Sequence, residues 1–440
     1  MGETANCGAR YAALMCLERY RRDGAWSGAG IDGMIKKYGL DRRDAALTAR
    51  LCLGVLQNSS FCDYYIDLYS STKLEPKLRD ILRLGAYQLL FMDKIPHRAA
   101  VSESVALCKA CGYARASGLV NAVLRRISEN SQYLQEIPGR GGADYLSLRY
   151  SHPRWLAEYL VDKKGYDFAE AFLQANNRPS KLTIQVNRLK VSSEDYIRAL
   201  DRRGLSHREF QGLPGCLELE GGNAPELPGF EEGLFYVQDR AARLAVEIAA
   251  PRPGMDVLDA CACPGGKSFA AAIAMENKGS ILARDIHEKK LRLVEQGAGR
   301  LGIDIISTAC ADAREPEEGL RGRFDLVIGD VPCSGFGVIG KKPEIRYKDR
   351  ESLRALPGIQ GAILQNLADF VKPEGVLLYS TCTIFEEENE AVVTEFLKSR
   401  KDFRLEPFSV NGRECAGTYT FWPNVDGTDG FFAAKLVRKN

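Results

Sequence analysis

The sequence predicts a multidomain chain: an all-α helical bundle, a small α+β middle region, and an α/β domain on a mostly parallel, doubly wound sheet. Three observations lead there. At 440 residues the chain exceeds what one core organises, and roughly 150 residues per domain implies about three. Apolar residues recur at helical spacing up to about Asn130, whereas from about residue 250 short β-rich runs alternate with helical segments. Hydrophobic residues at 45% and charged residues at 27% are ordinary globular values, which excludes long disorder, collagen and coiled coil.

The bundle, expected over residues 1–140, shows its period in Leu78, Ile81, Leu82, Gly85 and Leu89, and again in Val101, Val105 and Cys108. Pro76 and Pro96 suit helix entries or interhelix turns. Residues 1–130 carry 19 Lys/Arg against 13 Asp/Glu, an excess that either steers toward phosphate backbones or solvates the fold. Cys108 and Cys111 share a helix face without a His or second Cys pair at zinc-site spacing, so inert thiols and no metal are expected. The run Ile137 to Gly142 holds three glycines and a proline and is the best candidate boundary.

The middle region, residues 144–245, reads as helices near 153–164, 168–176 and 193–203 with strands at 182–187, 217–219 and 234–237. In residues 246–440, strand-like runs at 256–259, 279–283, 304–306, 324–328 and 375–379 are spaced widely enough for crossover helices. Ligands of such a sheet bind at the carboxyl ends of its strands. No stretch approaches the 18 or more apolar residues of a membrane span, and Met1 to Arg10 lacks a basic segment followed by an apolar one. Thirteen irregularly spaced cysteines suggest free thiols in a reducing cytoplasm.

The first strand of the α/β domain runs into Asp259-Ala-Cys-Ala-Cys-Pro-Gly-Gly-Lys-Ser268. Gly265 and Gly266 let a ligand approach backbone amides. The first glycine of a Walker loop would fall at Cys261, and the dinucleotide Gly-x-Gly-x-x-Gly pattern is absent, so ATPase and dehydrogenase readings recede. Asp285 ends the next strand, where a carboxylate accepts hydrogen bonds from ribose hydroxyls or caps the following helix. A nucleoside ligand without pyrophosphate fits, and S-adenosylmethionine is one.

Two further strand ends carry thiols, in Asp330-Val-Pro-Cys333-Ser-Gly335 and Tyr379-Ser-Thr-Cys382-Thr-Ile-Phe-Glu386. Both should reach the rim that holds the glycine loop. Thr383 to Glu386 reads as a capping box, which would put Cys382 just before a helix N-terminus and, with Lys267 near, favour its thiolate. The bland alternative for either cysteine is a buried small hydrophobe. A thiolate beside a methyl donor suits cytosine C5, a carbon made nucleophilic when sulfur adds to C6. Asp330 would stabilise the adduct, and Cys333 would serve in proton removal or release.

With these motifs the sequence resembles the RNA cytosine-C5 methyltransferases, specifically the group acting on small-subunit (16S) ribosomal RNA. His97 to Ser104 and Ser117 to Arg126 look like its NusB-like RNA-binding domain, and Arg149 to Leu156, Leu227 to Phe230 and Val237 to Asp239 like its middle region. Asp259 to Ser268, Asp330 to Gly335, Tyr379 to Thr383 and Asp429 to Ala434 look like the motifs of its Rossmann-like methyltransferase domain. The resemblance implies that Cys261, Ala262, Cys263, Pro264, Gly265, Gly266 and Lys267 wrap the donor, with Asp285 on the ribose, Asp312 near the adenine and Asp330 near the reacting centre. It implies that Cys382 attacks C6 and Cys333 assists release, the reverse of DNA cytosine methyltransferases. Cys263, Val331, Thr383 and Gly329 depart from the usual residues without removing a required group.

A monomer acting on small-subunit ribosomal RNA in the cytoplasm is therefore expected. The alternative is an RNA-binding assembly or antitermination factor with an idle methyltransferase domain, which predicts decay of the cysteines or glycine loop. An amino methyltransferase would need a Pro-Pro-aromatic loop where this chain has Asp-Val-Pro-Cys. The basic stretch Lys341 to Tyr347 is either an RNA contact or a solvated loop.

Overall fold

The computed structural model describes residues 8–24, 27–131 and 136–440. Met1 to Cys7, on which most of the expectation of no targeting segment rests, lie outside them. The described residues form two compact units, one running up to Arg178 and including Ile339–Lys348, the other Pro179–Val338 with Asp349–Asn440. No described helix is long and apolar enough to cross a membrane.

The first unit is helical. Its longest helix, Arg42–Tyr69, starts at Asp41, whose side chain accepts from the Asp44 amide, and is kinked at Asn58. Helices Pro76–Phe91, His97–Ala110 and Ser117–Glu129 bury Leu78, Ile81, Leu82 and Leu89, Val101 and Cys108, and Val120 and Leu124 in one core. The glycine run ends the bundle's helices but not the unit. Helix Ala143–Tyr150 packs Tyr145 and Leu148 against the same core, and the Phe61 amide donates to Ser151 Oγ at 2.8 Å. In packing, the break therefore falls after Arg178.

Ile339–Lys348 completes this unit. Pro343, Glu344, Ile345 and Arg346 are buried, which corrects the expectation of a solvated or RNA-facing loop over 341–347, although Lys341 and Lys342 are exposed. Arg346 donates to the carbonyls of Gln57 at 2.6 Å, Tyr150 at 3.1 Å and Ser151 at 2.8 Å, and to Asn177 Oδ1 at 2.6 Å. These carbonyls need donors, and a guanidinium supplies several in one plane. Burial lowers its pKa to about 10.

In the second unit, strands β1 (Leu182–Val186), β2 (His207–Glu209), β3 (Cys216–Leu219) and β4 (Phe235–Val237) form an antiparallel sheet in the order β2-β3-β1-β4, backed by helix Ser193–Arg202 through Tyr196 and Leu200. The larger sheet holds β5 (Asp256–Asp259), β6 (Ser280–Asp285), β7 (Ile306–Cys310), β8 (Phe324–Asp330), β9 (Val371–Thr381) and β10 (Phe403–Leu405). A small hairpin, β11 (Phe408–Val410) with β12 (Arg413–Cys415), precedes β13 (Thr418–Phe421) and β14 (Phe431–Arg438). The order is β10-β14-β9-β8-β5-β6-β7, with β13 beside β14. The β9-β8-β5-β6-β7 pairs are parallel and β14 runs antiparallel to β9.

Alternation sorts the strands into two cores. Val257, Leu326, Ile328 and Leu378 face helices Arg240–Ala249 and Gly266–Ala274, whereas Leu258, Val327, Leu377 and Tyr379 face helices Leu356–Phe370 and Glu390–Ser399. The edge strand β7 begins at Ile306 rather than ending there, because its half-exposed pattern gives little apolar signal.

Candidate active site

Parallel registry brings the strand ends together. Asp259 pairs with Ile328, and Asp330 lies beside Ser380. Each chain then turns off its strand, so the Asp259 loop, the Cys333 loop and the Cys382 loop share one rim.

The Asp259 loop turns at Gly265, whose φ of 112° and the Phe269 ring, 2.5 Å from any added Cβ, leave room only for glycine. Helix Gly266–Ala274 starts there. Lys267, in its first turn, is buried and donates to Asp330 Oδ2 at 2.5 Å, while Ser380 Oγ donates to Asp330 Oδ1 at 3.0 Å. Burial works against the Lys267 charge, but the Asp330 carboxylate, helped by Asp259 and Cys382, outweighs it and holds the ammonium above its ordinary pKa.

Cys333 Sγ lies 3.1 Å from Cys382 Sγ. The hydrogen bond to Cys382, then burial, then the negative charges of Cys382, Glu388 and Asp330 push the Cys333 thiol well up. The loops that carry the pair are joined by backbone. The Val331 amide donates to Ser380 O at 3.0 Å and the Gly337 amide to Cys382 O at 2.9 Å, where an added Cβ on Gly337 would lie 1.8 Å from Gly430 O.

The capping box is corrected. The next helix begins at Glu390, preceded by Asn389, and Thr383 does not cap it. Thr383 Oγ1 instead meets Ser334 Oγ at 2.7 Å, and Asn389 Nδ2 donates to Thr383 O at 3.2 Å. Buried side-chain pairing outcompetes a cap that would leave these groups unpaired. Cys382 therefore does not stand immediately before a helix N-terminus, and its charge interacts with that of Lys267.

The remaining acidic groups are placed as follows. Asp285 Oδ2 accepts from the Cys263 amide at 3.3 Å and Oδ1 from the His287 amide at 2.9 Å, so it joins the loop to the entry of helix Glu288–Leu301. Asp285 thus reaches the entry of that helix without being its N-cap, which is His287. Asp312 is paired with Arg314, whose side chain and amide hold its pKa down at about 2. Cys261 and Cys263 are pushed up by burial, Cys263 to about 12. Sequence reasoning missed Ser380, Gln360 and Glu388, and missed that Asp259 is buried with Oδ1 unpartnered while Ser268 Oγ donates to Oδ2 at 2.7 Å.

This donor set suits S-adenosylmethionine rather than a phosphate. Carboxylates match hydroxyls and an ammonium, the orphaned Asp259 oxygen among them, and the one loop lysine is committed to Asp330.

The fold and site define the chain as a methyltransferase of the class described by the 16S rRNA methyltransferase RsmB/F model, which matches residues 246–437. The NusB family model matches residues 8–129, and the RsmF/B-like ferredoxin-like domain model residues 152–224. The chain is 33% identical to the probable ribosomal RNA small subunit methyltransferase B of Bacillus subtilis (strain 168), over 98% of each. It is 32% identical to ribosomal RNA small subunit methyltransferase B of Proteus mirabilis (strain HI4320), over 90% of this chain and 91% of that one. It belongs to the ribosomal RNA small subunit methyltransferase B family. The crystal structure of PH0851 superposes with a TM-score of 0.81 at 27% identity, over 97% of this chain and 98% of that one.

Proposed function

We propose that the protein methylates C5 of a cytosine in small-subunit ribosomal RNA, using S-adenosylmethionine and a covalent bond from Cys382 to C6. The observation that carries this reading is the Cys333–Cys382 pair, 3.1 Å apart, beside the Lys267–Asp330 pair. Cys261 to Lys267, Asp285, Asp312 and Asp330 would hold the donor, which supplies an electrophilic methyl group when bound.

Cys382, its thiolate favoured by Lys267, adds to C6. The C5–C6 π pair moves into the ring, and N3 takes up charge or a proton beside Asp330. C5 is then nucleophilic and accepts a methyl group. Bonding of Cys382 to carbon removes the first cause that keeps Cys333 protonated. Cys333 then gives its proton to solvent and takes the C5 proton; the C5–H pair restores the C5–C6 double bond and the C6–S bond breaks toward Cys382.

The test is a denaturing gel of Cys333→Ala protein with S-adenosylmethionine and unmodified small-subunit ribosomal RNA, beside Cys333→Ala/Cys382→Ala. A denaturation-resistant protein–RNA adduct in the single variant only is expected. Methyl transfer with full rate in Cys382→Ala would overturn the covalent reading.

A further inference from the structure

The second unit buries a carboxylate that the proposed chemistry does not use. Glu388 is 2% exposed. Its Oε2 accepts from the Ser334 amide at 2.9 Å and from Gln360 Nε2 at 2.8 Å, and its Oε1 lies 3.5 Å from Thr383 Oγ1. Gln360 Nε2 also donates to Pro332 O at 3.0 Å. Pro332 and Ser334 flank Cys333, and Thr383 follows Cys382. Tyr379 OH, one strand turn before Cys382, donates to the Glu388 carbonyl at 2.5 Å. Burying a carboxylate is costly unless it is fully hydrogen-bonded, and here every donor belongs to, or braces, a residue next to one of the two thiols.

We propose that Glu388, braced by Gln360, is a positioning residue that sets the two cysteine loops in register, so that Cys333 reaches the adduct formed by Cys382. The inference rests on the covalent reading above. It predicts that Glu388 acts on release of the adduct rather than on donor binding, since its contacts lie on the thiol side of the site and none is with the loop from Cys261 to Lys267. Its negative charge is also one of the lesser causes that raise the Cys333 thiol, after the hydrogen bond to Cys382 and burial.

The test uses the full chain with radiolabelled S-adenosylmethionine and unmodified small-subunit ribosomal RNA, in wild type, Cys333→Ala, Glu388→Ala, Glu388→Gln and Gln360→Ala. In Glu388→Ala the denaturation-resistant adduct should persist roughly tenfold longer than in wild type, with KM for the donor within about twofold. Gln360→Ala should shift the adduct lifetime the same way by a smaller factor, and it decides the matter if Glu388→Ala does not fold. Glu388→Gln keeps an acceptor oxygen and should recover most of the wild-type lifetime. An unchanged adduct lifetime in folded Glu388→Ala, while Cys333→Ala accumulates adduct, overturns this inference and leaves the covalent reading standing. Absence of adduct in Cys333→Ala removes the covalent reading, and this inference with it.

Discussion

The sulfur of Cys333 stands 3.1 Å from that of Cys382, one at the loop after β8 and the other just past β9. A disulfide needs the sulfurs at about 2.05 Å, so an oxidant that takes two electrons and two protons from this pair has about 1 Å of movement to drive. Diamide should give a Cys333–Cys382 cross-link among the first detected by peptide mass spectrometry, with methyl transfer lost and recovered on reduction. Preferential cross-linking of other cysteines would contradict the geometry.

Lys267 acts on Asp330 and Cys382 together. Lys267→Met keeps the volume and removes the charge, so kcat/KM should fall roughly 100-fold or more, with less Cys382 alkylated by iodoacetamide at pH 7. A variant that alkylates as fast as wild type would show that Lys267 does not favour the thiolate.

Asp259 gives a pH dependence of known sign. Burial raises its pKa to about 6, above its unfolded value of about 3.9. The folded state thus binds the proton more tightly, and its contribution is present below about pH 4 and is lost as pH rises through about 6. Asp259→Asn removes this loss. Between pH 4.5 and 7.5 wild type should lose on the order of 2 kcal/mol relative to the variant, measured by urea unfolding of the sheet transition. Parallel curves for the two proteins would show that Asp259 is ionised throughout.

Arg346 serves three carbonyls, of which that of Tyr150 is also met by His152 Nδ1 at 2.7 Å and Asn177 Nδ2 at 2.8 Å. Arg346→Met should destabilise the helical unit by about 2–4 kcal/mol, because the Gln57 and Ser151 carbonyls lose the guanidinium as donor. Scanning calorimetry should show it in the transition of that unit, and an unchanged transition would mean that water replaces the guanidinium.

The elements that carried the site were legible because their signals are local. Asp256 to Asp259, the glycine turn and the strand into Asp330 follow from alternation and from residues whose backbone needs are special. Thr383 to Glu386 misled because a capping box and a buried polar cluster use the same residue types, and only the partner decides. That partner, Ser334, is 49 residues away. Gln360 and Glu388 were invisible for the same reason, since a glutamine in a helix and a glutamate after two others give no local sign of burial. Arg346 read as part of a basic run, whereas its four hydrogen-bond partners come from Gln57, Tyr150, Ser151 and Asn177.

The helical unit takes its last ten residues from far downstream, since Lys348 follows Arg178 by 170 positions (348 − 178). During synthesis at about 5–20 residues per second, the groove around Gln57, Tyr150 and Ser151 waits roughly 10–30 s for the segment that fills it. Over that interval the earliest-made helices carry unfilled backbone acceptors, and the first unit to leave the ribosome is completed only when most of the chain has followed it.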